Sequence, residues 1–228
     1  MKKQVIIISL GGSLIIPRSI NLKLLSNFKR VIRKNLGKFK FIIVCGGGSI
    51  AREYISALRK SGISEKLQNF SGISATRTNA RFMSYFFNLD QKHGIPETTS
   101  QAKKYLEKEA LVFCGALEYK PKQTSDSTAA ELAKELDAMF INLTAVDGLY
   151  DKRPEARGAR LISKISWEKF HNISSRINYR PGQHFVLDQN ASRIIMDNKI
   201  PTYILGKDME NLDNFFNGRK FRGTSIEG

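Results

Sequence analysis

The 228-residue sequence is poor in acidic side chains, in cysteine and in histidine, and each shortage closes off a class of protein. Its two cysteines, Cys45 and Cys114, both sit in apolar runs, so they read as small core residues rather than a disulfide framework. The three histidines, His93, His171 and His184, are too dispersed for a metal cluster, and no Cys/His spacing suggests structural zinc. No serine sits in a G-x-S-x-G elbow, and G-x-x-x-x-G-K-[ST] is absent, which removes the hydrolase elbow and the P-loop. No apolar run approaches the roughly 20 residues of a membrane span. The opening "MKKQVIIISLGGS" has a basic start, but its apolar stretch is short and β-branched, so it reads as a buried strand rather than a signal segment. A cytoplasmic protein without a membrane partner is the expectation.

With 37 Lys and Arg against 21 Asp and Glu, the formal net charge is +16. Such a balance suits nucleic acid, a membrane surface or polyanionic small substrates, and equally a solvated lysine-rich surface. The densest group is Lys29, Arg30, Arg33, Lys34, Lys38 and Lys40. An RNP-type aromatic pattern, zinc-finger spacing and a basic tail are all missing, so nucleic acid is not the expected partner.

Apolar β-branched runs alternate with helical patterns along the whole chain. Val5–Leu10, Phe41–Cys45, Leu111–Cys114, Met139–Leu143 and Thr202–Leu205 read as buried strands. Leu22–Leu36, Ile50–Lys60, Gly72–Asn88, Thr128–Leu136, Asp188–Asn198 and Leu212–Phe216 read as helices. The least regular stretch, Arg153 to Gln183, is expected to carry short strands and a helix around Trp167–Ile173. Alternation of this kind predicts a mostly parallel sheet with helices on both faces. Residues 1–228 form one domain in this reading, with two lobes at about 1–135 and 136–228.

Ligands of open α/β sheets collect at the carboxyl ends of strands. Four glycine- or hydroxyl-rich stretches fall there: "SLGGS", "CGGGS", "CGALEYKPKQTSDST" and "LTAVDGLYDKRP". Gly11, Gly12 and Ser13 end one strand, and Gly46, Gly47 and Gly48 end the next, one helical turn ahead of Arg52. Glycine inside an element costs roughly 0.5–1 kcal/mol, so a run of three signals a backbone need: a turn with positive φ, or close approach to bare N–H groups. Two such turns and an arginine favour a phosphate. A dinucleotide-binding domain is not favoured, because no strand follows to present Glu65 to a ribose.

"SLGGS", "VCGGGSIAREY", "GISATRTNA", "TSDSTAAELA", "VDGLYDKRP" and "LDQNASRII" follow one another in the order and spacing of the amino acid kinase superfamily. Within it the chain resembles the archaeal-type UMP kinases, from the first strand to the closing "GTSIEG". The resemblance implies a three-layer αβα fold with a mostly parallel central sheet, a homohexamer, and transfer of the γ-phosphoryl group of ATP to UMP with Mg²⁺. By the same resemblance Gly12, Ser13 and Gly48 hold ATP phosphates, while Thr144, Tyr150 and Arg153 lie around the adenine nucleotide, with Asp147 and Gly148 shaping that loop. Gly47 touches the acceptor phosphate, with Asn69, Thr124 and Ser125 beside the UMP. Arg52 neutralises phosphate charge, and Asp188 is either a helix cap or an organiser of phosphoryl transfer. Thr124, Ser125 and Asp126 also suit a helix cap, and Thr128-x-x-Glu131 reads as a capping box. Arg77 and Arg81, one turn apart, form either a stripe toward the acceptor or a subunit contact.

Some positions depart from the family pattern. Ser9 stands where many members carry lysine, Asn69 where UMP kinases carry aspartate, and Ala145 where they carry asparagine. Arg153 replaces an aspartate, and the acceptor loop "CGALEYKPKQTSD" is longer, with Lys120 and Lys122 added. The other readings left open are another small-molecule kinase of the superfamily and a non-catalytic relative that binds RNA or other polyanions.

Overall fold

The computed structural model describes residues 3–90, 94–119, 123–176 and 186–228. His93, His184, Lys120 and Lys122 lie outside them. In chain order the first half runs β1 (Gln4–Leu10), α1 (Gly12–Ile15), α2 (Leu22–Asn35), β2 (Phe39–Cys45), α3 (Gly48–Lys60), α4 (Glu65–Phe86), α5 (Thr99–Lys108), β3 (Leu111–Cys114) and α6 (Ser125–Glu135). The second half runs β4 (Met139–Leu143), β5 (Lys164–Ile165), α7 (Trp167–Ser175), α8 (Gln189–Asp197), β6 (Thr202–Leu205), α9 (Met209–Phe216) and β7 (Gly223–Ile226).

All described strands join one sheet in the order β3-β2-β1-β4-β6-β7-β5. The first five are parallel; β7 runs antiparallel to β6, and β5 runs parallel to β7. Helix layers cover the sheet on both faces, as the alternating pattern predicts. The five expected strands are all present, because continuous runs such as Ile6–Ile8 and Phe41–Val44 are buried from both sides. Cys45 and Cys114 are free and buried in β2 and β3, and burial pushes the Cys114 thiol up to about 12. The order of connection reverses at β1, with β2 and β3 on one side and β4 and β6 on the other, so the crevice beyond β1 and β4 is the topological switch point.

Several elements differ from the sequence expectation. Helix α4 starts at Glu65 rather than Gly72, since its "NFSG" stretch has helical geometry without a clean apolar stripe. Gly72 is there for helix packing: a Cβ would come within 3.2 Å of Ile55 on α3. Helix α5 was not expected because only Ala102 and Leu106 of its ten residues are buried; Thr98 caps it. Strand β5 and helix α7 (Trp167–Ser175) fall where short strands and a helix are expected, whereas β7 is too short and polar to announce itself. Thr128 does not open a helix. Thr124 is the N-cap of α6, accepting from the amides of Asp126 and Ser127, and Thr128 is buried a turn inside.

The basic excess has a structural use. Residues 1–52 contain eleven Lys and Arg and no Asp or Glu. Four of these cations reach backbone carbonyls at helix C-termini. Lys3 Nζ donates to Leu36 O at the end of α2 (2.7 Å), and Lys29 Nζ and Arg33 Nη2 donate to Phe86 O and Phe87 O at the end of α4 (2.5 and 2.6 Å). Lys40 Nζ donates to Leu106 O in the last turn of α5 (2.6 Å). A cation there satisfies an orphan carbonyl and opposes the negative end of the helix dipole.

Lys29→Met and Arg33→Met together are expected to lower stability by about 1–2 kcal/mol, or roughly 2–8 °C in Tm. Lys23→Met, on the exposed face of α2 with no bond to a helix end, should move Tm by less than about 1 °C. Thermal unfolding followed by circular dichroism reads both.

Candidate active site

Two glycine loops meet at the switch point. Gly46 N donates to Leu10 O (2.9 Å) and Gly11 N to Leu143 O (3.0 Å), which ties together the carboxyl ends of β2, β1 and β4. Beyond these bonds the loops touch backbone to backbone. A Cβ on Gly12 would lie 2.0 Å from Gly48 N, and one on Gly46 would lie 2.5 Å from Gly12 N. Gly48 has φ +65, and a Cβ there would lie 2.7 Å from Gly12 O. The glycines therefore serve both needs that the sequence suggests, positive φ and close approach, and the approaching group is the opposite loop. First-turn amides at Gly12 and Ser13 on α1, and at Gly47 and Gly48 at the start of α3, have no helical acceptor ahead of them.

A carboxylate pair lies beside this junction. Ser9, fully buried near the end of β1, donates from Oγ to Asp126 Oδ1 at 2.6 Å. Asp188 caps α8 by accepting from Ala191 N (2.9 Å) and also accepts from Thr124 Oγ1 (2.5 Å) and Ser127 Oγ (2.9 Å). Asp188 is therefore the N-cap of α8, and the same carboxylate clasps the N-terminus of α6 to that of α8. Burial, with the neighbouring Asp188 charge, pushes the Asp126 carboxyl up to about 7, and the Ser9 hydrogen bond opposes that shift. Thr124 is committed within the protein, so Ser125 carries the unengaged hydroxyl at this helix end.

Helix α4 fixes the other wall. Asn79, buried, donates from Nδ2 to Gly46 O at 2.7 Å. Thr76 Oγ1 accepts from Ala116 N at 2.9 Å. Arg77 donates to the carbonyls of Ala116 (3.2 Å) and Leu117 (2.7 Å) and pairs with Glu97 (2.7 Å). Arg77 therefore holds the loop after β3, and does not form a stripe with the exposed Arg81. Asn69 lies half-buried on the same helix, two turns earlier.

On the far side of the switch point Thr144 ends β4, its amide bonded to Leu205 O (3.0 Å). The following loop is pinned to the C-terminal strand: Leu149 N donates to Thr224 Oγ1 (2.8 Å), and Arg222 Nε pairs with Asp147 Oδ2 (2.7 Å). A Cβ on Gly148 would lie 2.6 Å from Thr224 Oγ1, so this loop requires its glycine as well. Tyr150 bridges to Leu161, Ala145 is exposed in the loop, and Arg153 is exposed on the surface beyond it. Arg52 projects from α3, also exposed.

Comparison with known proteins fits this arrangement. The profile of the Amino acid kinase family matches residues 4–206. The chain belongs to the amino acid kinase family. Uridylate kinase of Thermoplasma volcanium is 35% identical over 97% of each chain, and that of Methanopyrus kandleri is 31% identical over 97% of this chain and 99% of its own. The crystal structure of uridylate kinase from Archaeoglobus fulgidus superposes with a TM-score of 0.85 at 31% identity, covering 97% of this chain and 99% of that one. UMP kinase from Ureaplasma parvum, 21% identical with a TM-score of 0.81, shares the fold.

Sequence reasoning missed three polar residues of this amino acid kinase. Asp126 reads only as a helix cap, and Thr76 and Asn79 appear only within the "GISATRTNA" motif, with no role of their own. One signal was available. Ser9 and Asn142 are the polar residues next to the ends of two otherwise apolar strands, β1 and β4, paired in register. Ser9 holds Asp126 and Asn142 Nδ2 donates to Val186 O, so each fixes a segment at the start of a helix.

The raised Asp126 carboxyl links stability to pH. The folded state holds this proton more tightly than the unfolded chain, so its contribution is full below the ordinary carboxylate range and is lost as the pH rises toward about 7. Asp126→Asn keeps the acceptor for Ser9 and removes the titration. The variant's Tm is expected to match the wild type near pH 4 and to exceed it increasingly up to about pH 7, with a constant gap above. Parallel curves across that range would remove Asp126 from the pH dependence.

Proposed function

We propose that the chain is a uridylate kinase that transfers the γ-phosphoryl group of Mg-ATP to UMP, giving UDP and ADP for pyrimidine nucleotide supply. The observation that carries this reading is the backbone contact between the two glycine loops at the switch point, on which two polyanions can lie end to end. An oxygen of the UMP phosphate attacks Pγ, and the bond from Pγ to the ADP oxygen breaks. The attacking oxygen is already ionised at neutral pH, so positioning and charge neutralisation are what the protein must supply. Gly12, Ser13 and Gly48 direct backbone N–H groups at the ATP phosphates, and Gly47 at the acceptor. Arg52, exposed on α3 within reach of the loop it follows, neutralises charge on the transferring group. Thr144, Tyr150 and Arg153 border the adenine nucleotide, and Asn69, Ser125 and Thr124, the last through its backbone, border UMP.

Among the described residues no three His, Cys, Asp or Glu side chains converge on one point. Asp126 and Asp188 are both engaged by hydroxyls, so the residues suit a metal that arrives on the triphosphate. Mg²⁺ bound there supplies positive charge to the phosphate oxygens. With Ser9 in place of lysine, the Ser9–Asp126 bond and the Asp188 clasp fix the helix N-termini around that charge.

The acceptor side corresponds to about residues 1–135 and the ATP side to about 136–228. Self-association into a homo-oligomer, a hexamer by resemblance, is supported by α3 and α4: α3 buries only Gly48 and leaves Tyr54 exposed, and α4 leaves Leu67 and Phe70 exposed. No helix among the described residues is long and apolar enough to cross a membrane, and a cytoplasmic location is part of the proposal.

A steady-state assay with Mg-ATP against UMP, CMP, AMP, GMP, dTMP and isopentenyl phosphate tests the function. UMP is expected to give the highest kcat/KM; another winner would reassign the acceptor. Arg52→Ala should lower kcat about 10²–10³-fold with Tm unchanged. Asn69→Asp should alter KM for UMP and leave KM for ATP as it was.

A further inference from the structure

We propose that Thr76 is a positioning residue that sets the acceptor side of the site by fixing the acceptor loop beside the glycine run; this rests on the uridylate kinase reading. Thr76 is buried on α4. Its hydroxyl proton is spent on Ile73 O (2.7 Å), and its oxygen accepts from Ala116 N (2.9 Å). The threonine therefore has no proton left for a substrate and acts through the loop it grips. Gly115 is pressed against the same spot: a Cβ there would lie 2.6 Å from Thr76 Oγ1 and 2.5 Å from Arg77 N. The other branch of the side chain, Cγ2, faces the glycine run, 3.5 Å from where a Cβ on Gly47 would be.

One side chain thus bonds the start of the acceptor loop and turns its methyl toward the glycine assigned to the acceptor phosphate. Its neighbours on α4 reinforce the grip. Asn79 holds Gly46 O, and Arg77 holds the carbonyls of Ala116 and Leu117. Asn69 is seven residues before Thr76 and so lies on the same face, about 10 Å along the helix axis. A monophosphate lying along α4 would place its phosphate near Gly47 and Thr76 and its ribose near Asn69. Helix α4 then acts as a ruler that keeps the phosphate end and the sugar end of the acceptor in register.

Thr76→Val keeps the shape and removes the acceptor for Ala116 N, whereas Thr76→Ser keeps the hydroxyl. Thr76→Val is expected to raise KM and Kd for UMP about tenfold while KM for ATP stays within about twofold, and Thr76→Ser should keep UMP binding near wild type. Arg77→Gln, which removes the bonds to the Ala116 and Leu117 carbonyls, should raise KM for UMP in the same direction, with Tm read alongside to check that the fold is kept. Calorimetry with UMP and with ATP gives the dissociation constants independently of turnover. Equal effects on both nucleotides, equal behaviour of the Val and Ser variants, or an unchanged UMP constant in Arg77→Gln would each overturn the proposal. If the wild type binds and phosphorylates UMP but Thr76→Val does so equally well, only this inference fails. If the wild type does neither, the uridylate kinase reading fails first.

Discussion

The contact between the backbones of Gly12, Gly46 and Gly48 is the constraint on which the rest of the site depends. No side chain fits between these loops, so the carboxyl ends of β1 and β2 approach as closely as bare peptide allows. Helices α1 and α3 then begin side by side, and their first-turn amides share one small region. A phosphate site built from main-chain donors needs little side-chain ordering and presents fixed dipoles to developing charge. The cost is conformational, since glycines are expensive to order, and the hydrogen bonds they donate to the carbonyls of Leu10 and Leu143 and accept from Asn79 offset it.

Polar residues hold the surroundings of this contact, and all are placed where an apolar residue would otherwise be expected. Ser9 and Asn142 occupy matched positions in two central strands, and Thr76 and Asn79 sit one turn apart on a buried helix face. Each spends its hydrogen bond on a loop or helix start at the carboxyl edge of the sheet. The core below them is dominated by apolar side chains, with Phe87 in edge-to-face contact with both Phe28 and Phe113. Rigidity is supplied by that core, and the buried hydrogen bonds convert it into fixed loop positions.

The parts legible from sequence were those whose signal is local. Continuous β-branched runs gave the five parallel strands, and glycines at strand ends marked where the loops beyond β1 and β2 meet. Thr124 and Asp188 were recognisable as cap residues because a cap acts within a few positions. What was not legible depends on distant partners. Asp126 meets Ser9 across 117 positions, and Thr76 meets Ala116 across 40, so residue type alone could not reveal either. The false capping box at Thr128 lies one turn inside a second cap-forming sequence, and Thr124 is the residue that caps α6, tied at the same time to the distant Asp188. Helix α5 and strand β7 escaped because little of their surface is apolar enough to leave a period.

The lysines and arginines at the helix ends bear on how this protein can change over evolutionary time. Their partners are main-chain oxygens, which every sequence retains, so no second residue must change in step when one of them is gained. Loss is asymmetric: a drift toward glutamate would remove a cap and place like charge at the negative pole of a helix. The basic character of the N-terminal segment is therefore easy to acquire and hard to shed, whatever the ionic habits of its surroundings. In that sense the isoelectric point of this chain records its helix termini as much as its ligands.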